Sequence, residues 1–135
     1  MYKRQIENYS TTMNETIFKN DLQERLFNFA VKTIQSFMNL PNGKEYDVIG
    51  WQILKSSSSC GANYDEAQGA VSKADFSNKT GIALKEMRES NYWIRLIMAV
   101  NETSEDWIKL KTESVELMHI LGSICTKTSA QRKFK

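Results

Sequence analysis

The sequence predicts an all-α protein of one domain, an up-and-down antiparallel four-helix bundle. Three observations lead there. Helix breakers are scarce, with Pro41 the only proline and six glycines in 135 residues. Apolar residues recur at steps of three and four in four long segments. The joints between those segments are short, which makes consecutive helices antiparallel neighbours. The length suits a single core without staples. Hydrophobic residues at 41% and charged residues at 25% are ordinary for a globular chain.

The first helix is expected from Asn20 to Leu40. Its apolar set is Leu22, Leu26 and Phe29, then Phe27, Ala30, Ile34 and Phe37, with Asn20 or Asp21 as the cap. Pro41, Asn42 and Gly43 then end it in a turn. The second helix is expected from Lys44 to Val71 on the stripe Ile49, Ile53, Ser57, Cys60, Tyr64, Ala67 and Val71. The third runs from Lys73 to Asn101 on Phe76, Thr80, Ala83, Met87, Ser90, Ile94 and Ile97. The fourth runs from Ser104 to Thr128 on Trp107, Leu110, Ser114, Leu117, Leu121 and Ile124. Ser104 is its cap, and Glu105 and Asp106 follow on the positive end of the helix dipole. This divides the chain into a flexible leader (residues 1–19), the bundle (20–128) and a basic tail (129–135). Met13 is a second candidate start.

The stretch from Lys55 to Ala70, with serines at 56, 57, 58 and 59 before Cys60 and Gly61, falls inside the second helix. Gly61 costs about 1 kcal/mol relative to alanine there, so close packing has to offset it. Small side chains lie on two faces: the inner stripe, and an outer set of Ser58, Ala62 and Gly69. Serine hydroxyls on a helix satisfy themselves on the carbonyl one turn back.

No catalytic chemistry is predicted. A serine or cysteine nucleophile needs a positioned base, and His119, the only histidine, is two segments away. Asp65, Glu66, Ala67 and Gln68 resemble the acidic motif of helicases, but no phosphate-cradling glycine loop accompanies them. Glu116 and His119 have the Glu-x-x-His spacing of di-iron bundles, which need two such pairs and two further carboxylates. Cys60 and Cys125 have no metal-ligand spacing and read as reduced, buried thiols. No cofactor or metal is expected.

The N-terminal residues lack an export signal's apolar core, and no window of ~20 apolar residues exists to span a membrane. A cytoplasmic location is expected, and the glycosylation patterns at Asn14, Asn78 and Asn101 are read as chance. The formal charge of +2 does not by itself mark a nucleic-acid protein. Its distribution is uneven: Lys127, Arg132, Lys133 and Lys135 close the chain with no acid among them.

Several motifs point to a family. They are Lys55-Ser56, then Ser59, Gly61-Ala62-Asn63 and Glu66-Ala67, then Ser72-Lys73 and Asp75-Phe76, then Ala83-Leu84-Lys85-Glu86 with Arg88-Glu89, and Tyr92-Trp93. From Asp21 to Lys127 the chain resembles the bacterial four-helix-bundle family encoded in intervening sequences of large-subunit ribosomal RNA genes. That family also includes the accessory variability protein of diversity-generating retroelements. Lys55 stands where arginine is commoner, Cys60 where Ile or Val is usual, and Ser90 where Thr is frequent. The resemblance implies a ring-shaped homopentamer without catalytic activity. For the retroelement branch it implies binding to a reverse transcriptase and to nucleic acid through a basic surface.

With assembly in mind, the outer small residues Ser58 and Ala62 become interface candidates. So do Ile82, Trp93 and Leu96, which lie off the core stripe of the third helix and would be largely wet in a lone bundle. Glu86 and Glu89 flank Trp93 and complete the set. Lys85, Arg88 and Arg95, interleaved with Tyr92, form a basic line suited to phosphate contact with some stacking. The tail bases Lys127, Arg132, Lys133 and Lys135 are expected to add a mobile arm. Two roles stay open: association with RNA or DNA, or a protein adaptor that docks a partner such as a reverse transcriptase.

Overall fold

The computed structural model describes residues 14–133. They form four helices, α1 (Asn14–Met38), α2 (Lys44–Gln68), α3 (Lys73–Val100) and α4 (Glu105–Lys133), and no strand lies among the described residues. Packing runs around the ring from α1 to α2, α3, α4 and back to α1. The α2–α3 joint is the most extensive and the α1–α4 joint the least. Neighbours are antiparallel: Phe37 of α1 meets Gly50 of α2 and Leu26 meets Gly61, so one number falls as the other rises.

The core stripes emerge as expected except at Val71, which lies beyond the end of α2 and is exposed. Leu22, Leu26 and Phe29 of α1 meet Ile49, Ile53, Cys60 and Tyr64 of α2, Ala83, Met87, Ile94 and Ile97 of α3, and Trp107, Leu110, Leu117 and Leu121 of α4 in one buried cluster. Hydroxyls on these stripes are self-satisfied: Thr33, Thr80 and Thr128 each donate to the carbonyl four residues back.

The helix ends depart from expectation at three places. α1 starts at Asn14, so residues 14–19 are helix rather than leader, and Asn20 and Asp21 lie inside it instead of capping it. Residues 1–13 lie outside the described residues. α4 continues to Lys133, so Lys127, Arg132 and Lys133 are helical and not a free arm; Lys135 lies outside the described residues. α2 stops at Gln68, where Gly69 closes the helix. Ser72 caps α3, its hydroxyl accepting from the Asp75 N–H at 3.0 Å while the Asp75 carboxylate accepts from the Val71 N–H at 3.2 Å. Ser104 caps α4 through the Trp107 N–H at 3.4 Å.

The serine run is helix throughout. Ser56 and Ser57 are fully buried and donate back to the carbonyls of Ile53 and Leu54, while Ser58 donates to Leu54 from the exposed side. Ser90 of α3 donates to Ser56 across the joint at 2.9 Å. Gly61 faces Leu26 of α1, but a Cβ there would stand 3.5 Å from Leu26 Cβ, an ordinary contact, so the packing does not require glycine at this position. Ser58 and Ala62 point to solvent, so within one chain the second small-residue face is uncovered. No described helix is long and apolar enough to cross a membrane.

Candidate nucleic-acid interface

Lys85, Arg88, Tyr92 and Arg95 are spaced by three and four and share one exposed flank of α3. The line lies roughly opposite the core stripe of α3, with Arg95 tied toward α4 through Asn91. At 1.5 Å per residue the line from Lys85 to Arg95 is about 15 Å long, with Arg88 about 6 Å before Tyr92 and Arg95 about 4.5 Å after it. None of Lys85, Arg88 and Arg95 is in an ion pair among the described residues.

Arg95 is positioned by a chain of hydrogen bonds that sequence reading missed. Its Nε donates to Asn91 Oδ1 at 3.0 Å, Asn91 Nδ2 donates to Ser114 Oγ at 2.9 Å, and Ser114 Oγ donates to the Lys111 carbonyl at 2.7 Å. Asn91 and Ser114 are buried, so the guanidinium is tied to the α3–α4 joint. Its terminal nitrogens remain free to meet an anion. Arg95 Cζ also stands 5.8 Å from the centroid of the Tyr92 ring. Tyr92 packs edge-to-face on Trp93, with centroids 5.0 Å apart and planes at 78°. The signal for Asn91 was present in the sequence as a polar residue one turn before Arg95 and beside the core stripe.

Lys111, on the flank of α4 that faces α3, adds a fourth cation. It lines an open groove of 480 Å³ with Met98, Ile108, Thr112, Val115 and Glu116. Lys127 does not join this face. It shares the opposite flank of α4 with Glu113 and Ile120, at helical spacing, toward α1. Arg25 of α1 spans Glu113 and Glu116 on that side, its guanidinium stabilised by these carboxylates, which accounts for Glu116 without any metal. Among the described residues no group of histidine, cysteine, aspartate and glutamate could hold a metal ion.

The proposed interface set divides. Ser58 and Ala62 are exposed, whereas Ile82, Glu86, Glu89, Trp93 and Leu96 are half-buried within the single chain. Trp93 and Leu96 pack against the bundle's own core, so the expectation that a lone bundle leaves them largely wet is corrected. The reason is the α2–α3 joint, which is broad enough to shelter that flank. Trp93 Nε1 and Glu86 Oε2 are buried there without a hydrogen-bond partner among the described residues. Burial, and then the nearby Glu89 carboxylate, push the Glu86 carboxyl above its ordinary range. Exposed apolar side chains include Phe27, Ile34 and Met38 on α1 and Val48 and Trp51 on α2, with Trp51 71% exposed, and also Val71, Val100, Ile108 and Val115.

Neither thiol is shifted toward the thiolate. Cys60 is fully buried, its Sγ 3.1 Å from the Ala83 carbonyl, and burial pushes it up to about 12 with a smaller contribution from Glu86. Cys125 is half-buried rather than buried, and both cysteines are free. Burial raises Cys125 as well, partly offset by Arg88.

The sequence model of the 23S rRNA-intervening sequence protein family matches residues 19–123. No curated protein matches the chain. A crystal structure at 1.70 Å of a protein of unknown function from the S23 ribosomal protein family of Bacteroides thetaiotaomicron is similar, with 35% identity and a TM-score of 0.70. The match covers 77% of this chain and 97% of that one. By the extent of the family match, and with the same four-helix fold, the chain belongs to the 23S rRNA-intervening sequence protein family.

Proposed function

We propose that this is a non-enzymatic, oligomeric protein that associates with nucleic acid through the α3–α4 face. The observation that carries the reading is the line Lys85, Arg88, Tyr92 and Arg95, joined by Lys111, in which an anchored guanidinium has no acidic partner among the described residues. Phosphate neutralisation by such a line is sequence-independent and weak per subunit. Repetition around an assembly multiplies it. The oligomer is supported by the exposed Phe27, Ile34, Met38, Val48 and Trp51 on the outward sides of α1 and α2, beside the uncovered Ser58 and Ala62.

A titration of labelled RNA and DNA at two salt concentrations tests the reading. Binding should weaken steeply with salt. Changing Arg88 and Arg95 together to glutamine should weaken it for all sequences and flatten the slope by about two phosphate contacts. Absence of binding at low salt would remove the nucleic-acid role. The same apolar sides of α1 and α2 would then favour the second reading, an adaptor that docks another protein, of which a reverse transcriptase is the partner suggested by the family resemblance.

A further inference from the structure

We infer that the Tyr92–Arg95 pair is a stacking site for an unpaired base, so that the polymer taken by this face is single-stranded rather than duplex. This rests on the nucleic-acid reading above and adds the strandedness of the ligand.

Tyr92 is 50% exposed in the middle of the cation line, where a solvated surface has no need of a large ring. Two contacts set that ring. Trp93 meets it edge-to-face, and the Arg95 guanidinium stands over it. The guanidinium is held in turn by Asn91 and, through it, by Ser114 of α4. Phenol and guanidinium are both planar groups on which bases stack. Because both are anchored before a ligand arrives, less side-chain freedom is lost on binding. Arg88 and Arg95 lie on either side of Tyr92 along the helix, in place for the phosphates flanking a stacked base. Two acids adjoin this line along the helix, Glu86 beside Lys85 and Glu89 beside Arg88, and both are half-buried rather than exposed with the cations.

The fold argues against duplex. A duplex keeps its base faces in the stack and offers edges only in its grooves. The major groove is about 12 Å wide and admits one helix. α3 is flanked by α2 and α4 along its length. At packing distances of about 8–10 Å between axes, these neighbours make the face far broader than the groove. A duplex therefore meets only the cations, while a single strand also meets the ring.

The test uses the full chain and fluorescence anisotropy with a short uridine-rich RNA strand and a duplex of equal length, at low salt. The single strand is expected to bind at least about tenfold tighter than the duplex. Tyr92→Leu, which keeps an apolar contact for Trp93 but removes the π face, should weaken single-strand binding about tenfold. It should leave duplex binding and the salt slope unchanged, and Tyr92→Phe should bind like the parent. Photocrosslinking of a 5-bromouridine strand should place the adduct on Tyr92. Equal affinity for both polymers, an unchanged single-strand affinity in Tyr92→Leu, or an adduct on another face overturns the stacking site while leaving the nucleic-acid role intact. Binding of neither polymer by the parent removes both.

Discussion

At the scale of single residues, the α2–α3 joint holds the groups whose chemistry the fold perturbs most. Cys60 lies on the core stripe, and a thiol pushed up to about 12 has no thiolate to offer near neutrality. A bulky thiol reagent should label it slowly in the native protein and rapidly in denaturant, with the half-exposed Cys125 reacting first; fast native labelling of Cys60 would contradict its burial. Glu86 gives a pH signature. Its carboxyl is raised by burial and by Glu89, with Lys55 and Lys85 opposing. The native state therefore holds this proton more tightly than the unfolded chain does. The resulting stability is fully present below the ordinary carboxylate range and is lost as pH rises through the raised value. Glu86→Gln should accordingly raise the denaturant midpoint near pH 7, and the gain should shrink to nothing in acid. A gain that persisted in acid would point to packing rather than charge.

At the scale of elements, the stripes and joints were legible because a 3.6-residue period and a proline-glycine turn are local signals. The ends were not. α1 runs back to Asn14 because Asn20 and Asp21, read as caps, are tolerated inside a helix once Leu22 and Leu26 are anchored in the core. α4 runs on to Lys133 because nothing in the basic tail breaks a helix. Glycine context was also hidden, since it depends on what the neighbouring helix brings. A Cβ at Gly50 would stand 1.9 Å from Cζ of Phe37, whereas one at Gly122 would meet nothing within 4 Å. Gly122→Ala should then gain about 0.5–1 kcal/mol from helix propensity alone. Gly50→Ala has the same propensity gain but must push the Phe37 ring aside, and overpacking of this kind costs about 1–3 kcal/mol. Thermal or urea unfolding of the two variants should shift in opposite directions, and equal shifts would mean that Phe37 swings away freely.

At the scale of the whole molecule, the bundle has three unlike outer faces, and the sequence showed one of them well. The cation line on α3 was visible as spacing, but the Asn91–Ser114 anchor and Lys111 come from α3–α4 packing and are non-local. Trp93 and Leu96 were misjudged because a helical wheel does not know how broad the α2–α3 joint is. Phe27 and Ile34 were read into the apolar set of α1, and the structure leaves them exposed, as it does Met38, Val48 and Trp51. This relocation changes the assembly experiment. Charging Trp93 would damage the fold together with any interface, because that ring rests on the core. Trp51 is mostly exposed, and a surface substitution away from packed features changes stability by about 0.5 kcal/mol or less. Trp51→Glu should therefore leave the helical circular dichroism and the unfolding midpoint of a dissociated chain nearly unchanged. If the outward sides of α1 and α2 meet other copies, the same change buries a carboxylate without a partner and drives dissociation. Light scattering at micromolar concentration should give a pentamer mass for the parent and smaller species for Trp51→Glu. A parent that scatters as a single chain ends the oligomer proposal. A parent oligomer untouched by Trp51→Glu moves the interface to another face, with the α2–α3 flank next in line because its buried Trp93 Nε1 and Glu86 Oε2 lack hydrogen-bond partners among the described residues.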